Sequence, residues 1–209
     1  MEQFQSFKGK GLTGLTNCGN TCYLNSCMQV FSHMHELSVF LNEGNYHKRL
    51  TKTADSVLLT QWDSLRTLMW KANCTIAPNA FVKAVQRVAD SKGCSLFTGF
   101  AQNDVQEFLL FVIDCFHNAL SREVVMEVTG KTVSDKDILA KTCYEMMQKT
   151  YTKDYSEMIG IFFGIQVSEI KSKLGEALSV TPEPFSVLSV PVMSTQSTDL
   201  LSCMREYCT

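Results

Sequence analysis

Much of what this chain lacks is informative. It has no excess charge of either sign: 19 Lys and Arg against 21 Asp and Glu leave a net charge of −2 and a pI near 6.1. No basic block or stripe marks a nucleic-acid surface, and no acidic tail is present. No run of about eighteen apolar residues exists, so no membrane span is expected. The first twenty residues lack the apolar h-region of a secretory leader. Prolines number four, at 78, 182, 184 and 191, and no Pro/Gly linker or internal repeat divides the sequence. The nine cysteines (18, 22, 27, 74, 94, 115, 143, 203, 208) include no C-x-x-C pair, which excludes a structural zinc site of the usual spacing. Their odd number in a chain of 209 residues argues against a disulfide framework. A soluble protein of a reducing compartment, cytoplasmic or nuclear, is expected, with most thiols acting as small buried hydrophobes.

What is present is globular. At 45% hydrophobic and 19% charged residues the chain can bury a core. Helical periodicity dominates the first two-thirds. Leu24, Cys27, Met28, Phe31 and Met34 share one helix face, which would place His33 and His35 on that same helix. Leu58, Trp62, Leu65 and Met69 form a second face, and Phe81, Val85 and Val88 a third after Pro78. The strongest pattern runs from Val105 through Phe108, Val112 and Phe116 to Leu120, directly after Asn103 and Asp104. A further helix is expected over Ile138 to Gln148. Ile161, Phe163, Ile165 and Val167 then alternate as in a strand, and Phe185 to Val192 reads as a second strand bounded by prolines. A short helix with Ser197 or Thr198 as cap and Leu200, Leu201 and Met204 inside closes the chain. Two strands make a marginal sheet, so the sheet reads as unfinished.

Two segments carry chemistry. In Gly14-Leu15-Thr16-Asn17-Cys18-Gly19-Asn20-Thr21-Cys22-Tyr23-Leu24-Asn25-Ser26 a tight Gly/Asn turn runs into an amphipathic helix and places Cys22 in its first turn. Exposed N–H groups and the positive dipole end favour an anion at such a position. Asn17, five residues upstream, can fold back so that its side-chain NH2 adds a donor toward an oxyanion. Periodicity and spacing alone establish only a helix N-terminus with a thiol in it, and a structural cysteine fits that equally. The second segment, Gln102-Asn103-Asp104-Val105-Gln106-Glu107-Phe108-Leu109, opens the strongest helix. Asp104 suits its cap, with Glu107 as capping-box partner.

The first segment closely resembles the cysteine box of the ubiquitin-specific protease family, Gly-Leu-x-Asn-x-Gly-Asn-Thr-Cys-Tyr/Phe-x-Asn-x-x-x-Gln. Gly14, Leu15, Asn17, Gly19, Asn20, Thr21, Cys22, Tyr23, Asn25 and Gln29 fall in place. The second resembles the family's Gln-x-Asp-x-x-Glu-Phe-Leu box, eighty residues after Cys22. Pro184-Phe185 through Pro191-Val192 resembles its Pro-Phe-x-x-Leu-Ser-Leu-Pro run. The resemblance implies an α+β, papain-like cysteine protease fold. After an N-terminal tail over 1–10, a helical thumb occupies about 11–155, and the first strands of a finger and palm sheet about 156–209. It further implies Cys22 as nucleophile, Asn17 as oxyanion donor, and Gln102 and Asp104 lining the cleft for the arginine-rich tail of ubiquitin. The reaction would be hydrolysis of the isopeptide or peptide bond after ubiquitin's terminal glycine, with ubiquitin and ubiquitinated proteins as partners. Neither nucleic acid nor membrane is implied, nor any metal or organic cofactor. Where many members carry a zinc-binding C-x-x-C, an ungapped match puts Ser172 and Gly175.

The resemblance does not supply a base. The family's histidine box lies beyond the Pro-Phe-x-x-Leu-Ser-Leu-Pro run, and the four histidines here (33, 35, 47, 117) lie in no matching motif. Two expectations follow: a piece of an active deubiquitinase whose remaining part holds the histidine, or an inactive relative that binds ubiquitin. An unrelated helical scaffold does not account for two boxes in register.

Overall fold

The computed structural model describes residues 7–99, 101–175, 177–192 and 199–208. By contact density the chain divides into two units, one of residues 1–130 and 147–162, the other of 131–146 and 163–209.

The first unit is a helical bundle. Its helices are α1 (Cys22–Ser32), α2 (His35–Asn42), α3 (Ala54–Lys71), α4 (Asn79–Ser91), α5 (Val105–Leu120) and α7 (Glu157–Phe162). Helix α3 packs on α4 and α5, and α5 in turn on α1 and α7. The faces expected from sequence are the buried ones: Leu24, Met28 and Phe31 of α1, Leu58 and Trp62 of α3, Phe81 and Val85 of α4, and Phe108, Val112 and Phe116 of α5. Phe31 lies 6.4 Å from Trp62 and 6.1 Å from Phe116, ring centre to ring centre, and Trp62 lies 6.0 Å from Phe81. Each such buried side chain contributes roughly 1.5–3 kcal/mol of transfer free energy.

Short range pattern misplaced one boundary here. Helix α1 ends at Ser32, with His33 as its C-cap, and a new helix starts at His35 after an extended Met34. His35 therefore stands on α2, and Met34 is a corner rather than part of the α1 face. Two two-residue strands, β1 (Gly14–Leu15) and β2 (Thr75–Ile76), pair in parallel, which no sequence period of that length reveals.

The second unit holds an antiparallel hairpin of β3 (Gly164–Lys171) and β4 (Ala177–Phe185), in register from Gly164 opposite Phe185 to Ile170 opposite Ser179. Two expectations are corrected. Ile161 is the penultimate residue of α7, so alternation starts only at Ile165. The second strand ends at Phe185 instead of beginning there. Pro182 and Pro184, two apart, occupy positions of one side of β4, as prolines must in a strand that is an edge. Helix α8 (Leu200–Tyr207) is capped by Asp199, whose carboxylate accepts the Ser202 N–H at 2.8 Å. The expected caps Ser197 and Thr198 lie outside the described residues. Tyr207 Oη donates to Gln166 Oε1 at 3.0 Å, tying α8 to β3. Helix α6 (Asp135–Tyr151) spans the division at 146/147 and buries no residue fully. No helix is long and apolar enough to cross a membrane among the described residues.

Candidate active site

The turn before α1 is built by its own side chains. Gly19 (φ 97°) and Asn20 (φ 54°) both adopt left-handed backbone, a conformation glycine takes without cost and asparagine more readily than most residues. Asn17 Oδ1 accepts the N–H of Gly19 at 3.1 Å, the N–H of Thr21 at 3.0 Å and the Thr21 hydroxyl at 3.2 Å. Thr21 Oγ1 accepts the Cys18 N–H at 3.0 Å. The acceptor end of the Asn17 amide is thus committed to the turn, which leaves Nδ2–H2 as its donor end.

Farther along α1, Gln29 Nε2 donates to the Thr13 carbonyl at 2.8 Å, and Asn25 Nδ2 to those of Leu15 and Thr16 at 3.3 and 3.2 Å. These two side chains, four apart on one helix face, bind the incoming strand alongside α1. The Cys18 thiol meets Asn79 Oδ1, 3.3 Å away at the head of α4.

Cys22 is the first residue of α1 and is exposed. Thr21, the N-cap, spends its hydroxyl on the turn and makes no side-chain cap to the helix. The first-turn N–H groups, which have no partner within a helix, are therefore not covered by a side-chain cap. Cys27 makes the contrast. It lies within the same helix, buried, and burial pushes its thiol up to about 12. Of the nine cysteines Cys27, Cys115 and Cys203 are buried, and none forms a disulfide. The expectation of mostly buried thiols therefore fails for the rest: Cys18, Cys94 and Cys143 are half-buried, and Cys22, Cys74 and Cys208 are exposed.

The second segment comes close to the first through one side chain. Tyr23, next to the nucleophile candidate, sets its ring edge-on to Phe108 at 5.1 Å and beside Phe97 at 6.2 Å. Burial pushes its phenol above the ordinary value; the nearby Asn103 side chain pulls it down, and the neighbouring Cys22 sulfur pushes it up. Asn103 donates to the Ala101 carbonyl at 3.1 Å. Asp104 caps α5, its Oδ1 accepting the N–H of Gln106 at 2.7 Å and of Glu107 at 3.2 Å. Its Oδ2 takes no part in the cap. Gln102 is exposed two residues earlier. Sequence reasoning singled out Cys22, Asn17, Gln102 and Asp104 and passed over Tyr23, whose ring reaches Phe108 of the second segment.

The histidines are occupied elsewhere. His33 bonds the Gln29 carbonyl and Ser32 hydroxyl, both at 2.9 Å, at the far end of α1. His35 opens α2, beyond the Met34 corner that ends α1. His47 stacks on Tyr46 at 4.0 Å in a 3-10 turn over Asn45–Lys48. His117 bonds the Ser156 hydroxyl at 2.8 Å and Asp154 at 3.3 Å, nine residues or ~13 Å along α5 from Phe108. Among the described residues no group of three His, Cys, Asp or Glu could hold a metal ion.

Comparison with known proteins places this geometry in a family. A model of the ubiquitin carboxyl-terminal hydrolases matches residues 13–176. Ubiquitin carboxyl-terminal hydrolase Usp2 of Drosophila melanogaster is 33% identical over 200 residues, covering 94% of this chain and 20% of the fly protein. Ubiquitin carboxyl-terminal hydrolase 2 of Rattus norvegicus is 28% identical over 210 residues, covering 98% and 33%. The chain thus spans between a fifth and a third of the length of these curated relatives. Among solved structures, the SAGA Ubp8/Sgf11/Sus1/Sgf73 DUB module bound to ubiquitin aldehyde superposes with a TM-score of 0.64 at 16% identity, covering 96% of this chain and 39% of that one. At that identity the likeness shows the fold, α+β.

Proposed function

The chain belongs to the ubiquitin carboxyl-terminal hydrolase family, and we propose on that premise that it carries the nucleophile-bearing part of a deubiquitinase. The observation that supports this best is the exposed Cys22 on the first turn of α1, a helix start left without a side-chain cap, next to the Asn17 turn. In the proposed reaction the Cys22 thiolate attacks the carbonyl carbon of ubiquitin's terminal glycine. The first-turn N–H groups and Asn17 Nδ2 hold the oxyanion. The amine of the target takes up the proton that the Cys22 thiol gave to a general base and leaves, and water hydrolyses the thioester to release ubiquitin and the thiol. Gln102 and Asp104 line the cleft for the extended tail, where the spare Asp104 Oδ2 faces an arginine-rich segment. The thumb over about 11–155 and the finger and palm strands from about 156 are part of the same proposal, as is action inside the cell.

A second reading, a ubiquitin-binding relative without turnover, has one observation in its favour: His33 is bonded at the far end of α1 and His117 is bonded to Ser156 and Asp154, so neither is held toward Cys22. Incubation with ubiquitin bearing a C-terminal electrophile, read by intact mass, separates the two. A covalent adduct abolished by Cys22→Ala is the expected result. A folded chain that forms no adduct but retains unmodified ubiquitin would sink the peptidase reading for these residues and leave binding.

A further inference from the structure

The chain reaches β1 along the C-terminal end of α3. Gly11 (φ 87°) passes so close to the Trp70 ring that a Cβ there would lie 2.7 Å from it. Asn73 accepts the Leu12 N–H at 3.0 Å through Oδ1 and donates to the Gly9 carbonyl at 2.7 Å through Nδ2. Thr13, 2% exposed, ends this strap. Its hydroxyl donates to the carbonyls of Met69 at 2.6 Å and Ala72 at 2.9 Å, at the end of α3, where a helix leaves its last carbonyls without an internal donor. Its own carbonyl accepts Gln29 Nε2 of α1 at 2.8 Å. Thr13 is thus bonded to α3 on one side and to α1 on the other. From there the backbone is held up to Asn17: the Gly14 N–H donates to the Cys74 carbonyl and the Thr16 N–H to that of Ile76, both at 2.9 Å, while Asn25 holds the carbonyls of Leu15 and Thr16.

We propose that Thr13 is a positioning residue for the oxyanion donor: its hydroxyl fixes residues 13–16 between α3 and α1, and so sets the direction in which Asn17 presents Nδ2. The inference rests on the reading of Asn17 as that donor. Thr13 precedes the cysteine box, which starts at Gly14, and touches neither the thiol nor the reacting carbonyl; it acts through the strand and through Asn17. Valine here keeps the shape of threonine but leaves the Met69 carbonyl, inside the fold, short of its donor. Serine keeps the hydroxyl and loses only the methyl.

Two ubiquitin probes and one signal of the protein itself test this on the whole chain. Ubiquitin aldehyde adds the Cys22 thiol across its carbonyl: sulfur bonds the carbon, and the oxygen, which the Asn17 donor would hold, ends with the thiol proton. Ubiquitin ending in an alkyl bromide loses bromide to the thiolate and forms no oxyanion. Thr13→Val should weaken aldehyde binding about fivefold, the ratio expected for loss of one net hydrogen bond, and leave alkylation within about twofold. Thr13→Ser should restore aldehyde binding. In an Asn17→Ala background Thr13→Val should add nothing, because both changes act through the same donor. By NMR, the Asn17 side-chain NH2 resonance should move in Thr13→Val and return in Thr13→Ser. Gln29→Ala, which frees the other side of Thr13, should move it likewise and stands in where Thr13→Val does not fold. An unmoved Asn17 resonance overturns the proposal, and so does an equal fall with both probes, which is what a general loss of structure would give. If the unaltered chain takes up neither probe, the ubiquitin reading fails, and the Asn17 resonance still decides whether Thr13 positions that side chain.

Discussion

At the scale of single residues, two polar side chains in the boxes hold the backbone with one atom and leave another uncommitted to it. Asn17 spends its oxygen on a turn and keeps its NH2; Asp104 spends Oδ1 on a helix cap and keeps Oδ2. That division lets structure and recognition be measured apart at position 104. Asp104→Ala removes both, and loss of the cap should cost about 1 kcal/mol of stability. Asp104→Asn retains a good cap and removes only the charge, so its thermal midpoint should stay near that of the unaltered chain. If the carboxylate meets an arginine of the ubiquitin tail, both variants should weaken ubiquitin capture alike despite their different midpoints. Capture that instead tracks stability would make Asp104 a cap and nothing more.

At the scale of elements, the parts that could be read in advance are those specified by adjacent residues. Helix α5 was legible because Asp104 and a 3.6-residue apolar rhythm lie within one stretch, and the cysteine box because its residues are contiguous. The α1–α2 corner was not, since Met34 continues the apolar period while its backbone turns extended. Strand β4 was missed because Leu178 and Val180 point to solvent and the apolar run after Pro184 looks more strand-like than the residues before it. The Tyr23–Phe108 ring contact depends on how two helices pack, which no local pattern encodes. The same holds for the start of α7. There Glu157 accepts from Arg122 Nη1 and Nη2, at 3.1 and 2.8 Å, and pairs with Arg49, while Arg122 sits 5.3 Å over the Tyr155 ring. Burial would raise the Glu157 carboxyl, but the Arg122 hydrogen bonds and the two guanidinium charges outweigh it and hold it below the ordinary 4.5. A carboxyl depressed in the fold stabilises fully above its unfolded value, and that contribution is lost as pH falls through the folded value. Glu157→Gln should therefore lower stability at neutral pH and flatten its decline below about pH 4.5. Parallel pH profiles for the two proteins would show that this cluster is too solvent-screened to matter.

At the scale of the whole molecule, the two units differ in how much apolar surface they bury. The helical unit has the large fully buried side chains: Trp62, Tyr46, Phe31, Phe81, Phe108 and Phe116. The unit with the hairpin leaves Ile170, Leu178, Leu200 and Leu201 more than half exposed, and a two-stranded sheet contributes little alone. Local opening should therefore require less free energy in the hairpin than in α3 or α5. The sequence has two tryptophans, Trp62 and Trp70, and both lie on α3 of the helical unit, so selectively excited tryptophan fluorescence reports that unit. Trp62→Ala leaves a cavity among Phe31, Phe81 and their neighbours and should destabilise by about 3–5 kcal/mol. In urea, the Trp70 signal of the variant should shift to a much lower midpoint, while amide exchange of 164–171 and 177–185 without denaturant keeps its original rates. Hairpin exchange that accelerates in step with the fluorescence shift would mean that the two units open as one cooperative body. A strain placed in the bundle would then be felt at the strands as well.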